Sequence, residues 1–218
     1  MKIHILSLLF VLISPSVFAL SGTVIAVQDG DTMTIVDSKT KEKVRIRLMG
    51  VDTPELHFFG ESQGQAAQDA CDVLREITPR GTFVRIGEDY QTDKHGRILG
   101  RVFKTDGLDV NAEMLRRGLG VLYFIYPFSK RALTEYSKAA YEGYQAKAGI
   151  FSGVYIDLEL PYDFRMSVRG MDGFNLVGDI ETKRLFRPKD VQEVPVWKRV
   201  FFHNQKAANS AGYSFSFL

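Results

Sequence analysis

The sequence predicts a mainly β fold with helices: a five-stranded Greek-key barrel with three packed helices, followed by a small α+β appendage. Short segments that alternate apolar and polar side chains recur before residue 105, as strands do. The order of elements is three strands, a helix, two strands and two helices, which suits such a barrel. After residue 152 the chain becomes rich in aromatics, arginines and isolated turns. A flat α+β sandwich remains the structural alternative.

The bulk composition is that of an ordinary globular protein. The chain has 218 residues, 45% hydrophobic content and a formal net charge of only +2. A strongly basic nucleic-acid binder is excluded, so any polyanion site must depend on local charge placement. The single cysteine, Cys71, excludes an intramolecular disulfide. It shares an apolar helical face and is predicted to be buried and inert. No Cys/His spacing fits structural zinc.

Residues 1–19 have the pattern of a signal peptide. Lys2 supplies the positive start, Ile5 to Ile13 form an apolar run, and Val17-Phe18-Ala19 resembles a cleavage site. An uncleaved anchor is the alternative, but the run is shorter than the roughly 20 apolar residues that span a bilayer. We expect export to the periplasm or the medium, a mature chain starting near Leu20, and no stable membrane association after cleavage.

The first strands form a predicted meander over 22–28, 32–37 and 44–51, with turns at Asp29-Gly30-Asp31 and at 38–41. In the third strand, aliphatic side chains alternate with Arg45 and Arg47, which places the arginines on one face. Pro54 ends this strand because it lacks a backbone N–H.

The later elements follow from helical periodicity, caps and breakers. They comprise helices at 61–77, 109–117 and 129–148, strands at 82–86 and 97–104, and an extended apolar segment at 119–126. We place a main domain at 20–152 and an appendage of unknown function at 153–218. Within the appendage, strands are expected near 174–177 and 200–202, and a short helix near 206–211.

Charged residues collect at the strand ends. Asp31 starts the second strand and Asp52 ends the third, and antiparallel neighbours bring such ends together. Two carboxylates there would repel without a cation, and they suit a hard ion such as Ca²⁺. Arg47 and Arg97 could clamp a phosphate beside it. Each signal is weak alone: residues 29–32 could be an ordinary turn, Arg47 a solvated strand face, and Arg97 a hairpin residue beside Asp93.

The sequence resembles the staphylococcal nuclease family over about residues 22–152. The motifs that carry the resemblance are Asp29-Gly30-Asp31-Thr32, Arg47-Leu48, Val51-Asp52-Thr53-Pro54-Glu55 and Thr92-Asp93-Lys94-His95-Gly96-Arg97, in that order. Weaker matches are Val110-Asn111, Arg117-Gly118-Leu119 and Gly149-Ile150-Phe151. The resemblance implies an OB-fold barrel and a Ca²⁺-dependent phosphodiesterase that acts on DNA and RNA and leaves 3′-phosphates.

The resemblance also implies residue roles. Asp31 and Asp52, with the Thr53 carbonyl, correspond to the metal ligands, and Glu55 to the general base. Arg47 and Arg97 correspond to the pair that binds the phosphate. Substrate contacts are implied for Lys94, His95, Phe124 and Tyr126. His95 and Phe124 depart from the family pattern, which has tyrosine at both positions.

The appendage bears a fainter resemblance to the metal-binding module of Ada-type DNA-repair proteins, in Lys183 to Pro188, Lys198 to Phe202 and Lys206 to Tyr213. The cysteines of that module are missing, so zinc is not implied. Two other functions remain open. One is a non-catalytic nucleic-acid or protein-binding module on the same fold, although such modules usually lack the residue set that is complete here. The other is an envelope adhesion or structural protein in which the appendage is the functional part.

Overall fold

The computed structural model describes residues 20–215, and the predicted signal peptide lies outside them. Strands β1 (Leu20–Asp29), β2 (Thr32–Asp37) and β3 (Lys43–Leu48) form the predicted antiparallel meander. Their buried faces supply Met33, Ile35 and Ile46, none of which is exposed. Within the described residues, no helix combines the length and apolarity needed to cross a bilayer.

The strand predicted over 44–51 is divided into two. A short strand, β4 (Gly50–Asp52), leaves the main sheet and later pairs with β9 (Val121–Tyr123). The break requires Gly50, which has a φ of +74°, and a Cβ there would lie 2.5 Å from the Phe124 ring. Asp52 therefore stands on a separate two-stranded ladder beside the main sheet.

The later strands of the main sheet are β5 (Phe83–Ile86), β6 (Gln91–Thr92), β7 (Ile98–Gly100) and β8 (Val102–Lys104). The sheet is mixed, curled and seven-stranded, in the order β6-β7-β3-β2-β1-β5-β8. The single strand expected at 97–104 is thus β7 and β8, which are interrupted at Arg101. β7 runs parallel to β3 and β8 antiparallel to β5, so one stretch of chain joins the two ends of the sheet. This arrangement resembles an OB-fold and differs from a flat sandwich.

Three helices pack on the strands: α1 (Gly64–Ile77), α2 (Val110–Arg116) and α3 (Lys130–Gln145). Helix α1 lies against β1, whereas α3 lies against α2 and the β4–β9 ladder. The side chains of Asp109 and Ser129 accept the backbone N–H groups of Ala112 and Ala132 and so begin α2 and α3. Helix α1 begins three residues later than predicted, because Glu61 forms a bridge with Phe58 instead. Cys71 is buried on α1 as a free thiol, as predicted.

A buried asparagine joins α2 to both strand breaks. The Asn111 Oδ1 accepts the Val102 N–H at 2.9 Å, and its Nδ2 donates to the carbonyls of Met49 and Gly100 at 2.9 and 3.1 Å. These backbone groups flank the points where the strands are interrupted. The side chain thereby supplies hydrogen bonds at both interruptions.

The appendage has α+β structure. It contains α4 (Pro161–Val168), β10 (Leu176–Asp179), β11 (Leu185–Phe186), β12 (Arg199–Phe202) and α5 (Gln205–Ser210). One 3₁₀ segment precedes α4 and another lies between β11 and β12. The sheet order is β11-β10-β12. The strands expected at 174–177 and 200–202 and the short helix are present within two residues of the predicted bounds. Helix α4 and strand β11 were missed.

The appendage packs directly on the barrel. The Phe201 N–H donates to the Phe124 carbonyl at 2.7 Å, and the Tyr126 N–H donates to the Phe201 carbonyl at 2.9 Å. The Phe202 ring lies 5.8 Å from Tyr126 and belongs to the main core. Trp197 packs on Tyr144 of α3, with ring centroids 4.2 Å apart, and its carbonyl accepts the Ser137 hydroxyl.

Because the appendage and the barrel share a core, we expect a buried side chain of the appendage to stabilise the whole molecule. Phe202 is fully buried against Tyr126, Phe128 and Tyr213. We expect Phe202→Ala to lower the free energy of unfolding by about 3–5 kcal/mol, with one cooperative transition in urea. Phe174→Ala is the matched control, because its ring is 48% exposed in the same appendage. Two separate transitions, with only one of them shifted, would show that the appendage unfolds independently.

Candidate active site

Asp31 and Asp52 meet because β2 and β3 are antiparallel. Thr32 lies opposite Arg47, and the Leu48 N–H donates to the Asp31 carbonyl at 2.8 Å. Asp31 therefore stands next to the point where the chain turns into β4, which ends at Asp52. Both carboxylates are buried: Asp52 is 0% exposed and Asp31 is 6% exposed.

The Asp31 carboxylate is fixed by the loop that follows β4. Its Oδ2 accepts the backbone N–H and the hydroxyl of Thr53, both at 3.2 Å, and its Oδ1 accepts the Thr32 hydroxyl at 3.1 Å. Burial raises the pKa of Asp31 to about 7, against the opposing effect of Arg47. The Asp29 and Asp52 carboxylates add to this rise by repulsion. The site therefore concentrates negative charge.

Arg47 spans the two carboxylates. Its Nη1 forms an ion pair with Asp31, and its Nη2 lies 3.1 Å from the Asp52 Oδ1. The Arg47 side chain is only 12% exposed. It is therefore a member of the buried cluster rather than of a solvated strand face.

A second guanidinium in the cluster comes from the appendage. Arg165, on α4, donates from Nη1 and Nη2 to the two oxygens of Asp52, each at 2.8 Å, and from Nη1 to the Glu55 Oε1 at 2.8 Å. Sequence reasoning missed this residue. Pro161 at the first helical position could have indicated α4, but no local pattern connects Arg165 with partners more than 100 residues away.

Glu55 lies at the edge of the cluster, with its side chain 21% exposed. Its backbone is held by Gln63: the Glu55 N–H donates to the Gln63 Oε1 at 3.0 Å, and the Gln63 N–H donates to the Glu55 carbonyl at 2.9 Å. Burial raises the pKa of Glu55, and the Arg165 guanidinium opposes that rise. Glu55 is thus a positioned carboxylate that water can reach.

The chemistry of these donors fits a hard divalent cation. Asp31 and Asp52 offer carboxylate oxygens close enough to share Arg47, and the Thr53 carbonyl is adjacent in the chain. Asp52 Oδ2 accepts from Arg165, which leaves this oxygen a further lone pair. Over residues 20–215 no group of three or more His, Cys, Asp or Glu side chains forms a metal cage. A cation would therefore need two carboxylates completed by backbone oxygen and water.

Arg97 is not in contact with this cluster. It lies at the start of β7, the strand next to β3, but its Nε is 2.8 Å from the Asp93 Oδ2 and its backbone N–H donates to the Asp93 Oδ1 at 2.9 Å. The structure thus gives Arg97 the hairpin partner considered as the alternative. Lys94 and His95 are exposed in the same turn, at which the His95 N–H also donates to Asp93.

The prediction that Phe124 contacts substrate is corrected by its burial. Phe124 is 3% exposed and packs on Tyr136 and Phe128, each at a centroid distance of 5.9 Å. Its ring fills the space that Gly50 leaves open, so it belongs to the core and cannot flank a nucleotide. Tyr126 is partly buried between Phe128 and Phe202.

A family model described as "Staphylococcal nuclease homologue" matches residues 45–153, which include Arg47, Asp52, Thr53, Glu55 and Arg97. That match covers half of the chain. The chain belongs to the staphylococcal nuclease family. The family segment ends before α4, so Arg165 lies outside it.

Individual relatives of this staphylococcal nuclease homologue extend the comparison. "Endonuclease YhcR" of Bacillus subtilis is 30% identical over 200 residues, which cover 88% of this chain but only 16% of that much longer protein. An "Uncharacterized endonuclease" of Escherichia coli is 34% identical over 127 residues, 58% of this chain and 76% of its own length. "Probable endonuclease LCL3" of Yarrowia lipolytica is 40% identical over 87 residues, 38% of this chain and 37% of its own. The Bacillus match covers 88% of this chain, which is more than residues 1–152 contain, so it includes part of the appendage.

Proposed function

We propose that this protein is a nuclease that hydrolyses phosphodiester bonds of DNA and RNA, with Ca²⁺ as its cofactor. The observation that carries the proposal is the buried cluster of Asp31, Asp52 and Arg47, with the partly exposed Glu55 at its edge. Family membership and relatives that are named endonucleases support it. We also propose that the chain is exported, which the pattern of residues 1–19 supports.

In this proposal the chain's residues divide the work. Asp31, Asp52 and the Thr53 carbonyl would hold the cation, which supplies Lewis-acid neutralisation of phosphate charge when bound. Glu55 would accept a proton from the attacking water. Arg47 would donate to the phosphate oxygens as their charge grows. Water adds across the P–O5′ bond, which leaves a 3′-phosphate on one fragment and a 5′-hydroxyl on the other.

The direct test is metal removal. The purified full-length chain is incubated with single-stranded DNA or with RNA, in Ca²⁺ or in excess chelator, and the fragments are resolved by electrophoresis. We expect cleavage of both polymers in Ca²⁺, none in chelator, and recovery when Ca²⁺ is restored. Treating the products with a 3′-phosphatase and then with a polymerase reports whether the new ends carried 3′-phosphate.

A non-catalytic binding function is the second candidate, because the Arg165 guanidinium pairs with both oxygens of Asp52, the carboxylate proposed as a metal ligand. If the protein retards DNA in a gel but cleaves neither polymer with Ca²⁺, Mg²⁺ or Mn²⁺, the non-catalytic binding module is the correct function. Cleavage that survives the chelator would refute the cation dependence while leaving the nuclease in place.

A further inference from the structure

Arg165 is placed among the proposed catalytic residues by a part of the chain outside the family segment. Its guanidinium forms a two-point contact with Asp52 and a third contact with Glu55, all at 2.8 Å. The side chain is 12% exposed. A planar fork that pairs with both oxygens of one carboxylate fixes direction as well as charge.

The appendage core holds α4 in position. Tyr162 and Met166 of α4 are buried in a cluster with Val177 and Phe201. The guanidinium carbon of Arg165 lies 5.5 Å from the centre of the Tyr123 ring, on the strand that pairs with β4. Tyr123 in turn packs on Phe201 at 4.8 Å. The same aromatic layer therefore supports both the arginine and the ladder that carries Asp52.

The charge balance of the buried cluster also depends on Arg165. Asp31, Asp52 and Glu55 present three carboxylates, and Arg47 pairs with the first two. Among the described residues, Arg165 is the cation that contacts Glu55. With both guanidiniums the formal charge of the five groups is one negative, and without Arg165 it is two negative. Repulsion would then move Glu55 away from Asp52.

We propose that Arg165 is a positioning residue of the catalytic centre: the appendage holds Glu55 and Asp52 in their working geometry through this one side chain. The inference rests on the proposed nuclease function and gives the appendage a part in it. Helix α4 is then part of the active site, because it carries Arg165, and the appendage is not merely an accessory module.

The test compares Arg165→Ala and Arg165→Lys with Arg169→Ala in the full-length chain. Arg169 is the matched control, because it lies one turn further along and stacks 4.9 Å from the Phe58 ring, without an ion pair in the described part of the chain. The measurements are kcat and KM on single-stranded DNA, Ca²⁺ affinity by calorimetry without substrate, and the melting temperature.

We expect Arg165→Ala to lower kcat by about 100-fold with little change in KM, because misplacing a catalytic group mainly slows chemistry. Its Ca²⁺ affinity should rise several-fold, because a neighbouring positive charge is gone. Arg165→Lys should bind Ca²⁺ like the wild type, because the positive charge is kept. Its kcat should still be lower than that of the wild type, because the ammonium group cannot make the two-point contact of a guanidinium. Arg169→Ala should resemble the wild type throughout.

Other outcomes overturn the inference. Tighter Ca²⁺ binding with an unchanged or higher kcat would mean that Arg165 competes with the metal for Asp52 and inhibits the enzyme. Weaker Ca²⁺ binding and a collapsed melting temperature in both Arg165 variants would make its role structural only. An inactive wild-type enzyme would refute the proposed function, whereas an active wild type with an equally active Arg165→Ala variant would refute this inference alone.

Discussion

Glu55→Gln is expected to reduce kcat on single-stranded DNA by about 10²- to 10⁴-fold, the range usual for loss of a general base. The amide keeps the size of the side chain but cannot take a proton from water. KM should change little, because the phosphate contacts proposed for Arg47 do not involve Glu55. The fold should also survive, since Arg165 keeps both of its contacts with Asp52.

The matched control for this variant is Glu61→Gln, which changes an exposed carboxylate in the same loop. It should leave kcat, KM and the melting temperature at wild-type values. A Glu55→Gln enzyme with full turnover would show that another group, or the solvent, accepts the proton.

Asp52→Asn is expected to destabilise the protein more than any other single charge removal at the site. Asp52 is fully buried and pairs with both Arg47 and Arg165. A neutral amide leaves two buried guanidiniums without this counter-charge, which typically costs about 3–5 kcal/mol. The measurement is urea unfolding in chelator, where metal binding adds no stability to either protein. Cleavage with Ca²⁺ should also be lost, because a proposed ligand is gone.

A second substitution separates charge from packing in this result. Adding Arg165→Gln to Asp52→Asn should recover part of the lost stability, since one unpaired cation disappears. Asp106→Asn is the control, because it removes an exposed carboxylate and should leave unfolding nearly unchanged. Wild-type stability in the Asp52→Asn protein would mean that the arginine pairs do not form in solution.

Local patterns predicted much of the fold and, of the five residues of the cluster, Asp31, Arg47 and Asp52; the family resemblance added Glu55. The meander follows from alternation and turns, and it brings Asp31 to the end of the strand that carries Arg47. The caps Asp109 and Ser129 were also predictable, because the residue type and the following periodicity suffice. These features depend on neighbours in the sequence or on adjacent strands.

The features that the sequence did not predict depend on contacts between distant segments of the chain. The break at Gly50 is set by the Phe124 ring, and that same contact places Phe124 in the core. An apolar extended segment gives no local sign of which aromatic ring faces inward. Arg165 is the extreme case, since Asp52 is 113 positions away in the chain. Its role depends on how α4 docks, which periodicity cannot supply.

The position of Trp197 has a spectroscopic consequence. It is the only tryptophan in the sequence, and it lies where the appendage meets Tyr141 and Tyr144 of α3. Tryptophan emission from this chain therefore comes from a single contact between the two parts of the molecule. The fluorescence of Trp197 therefore reports, without an added label, whether the appendage that carries Arg165 is docked on α3.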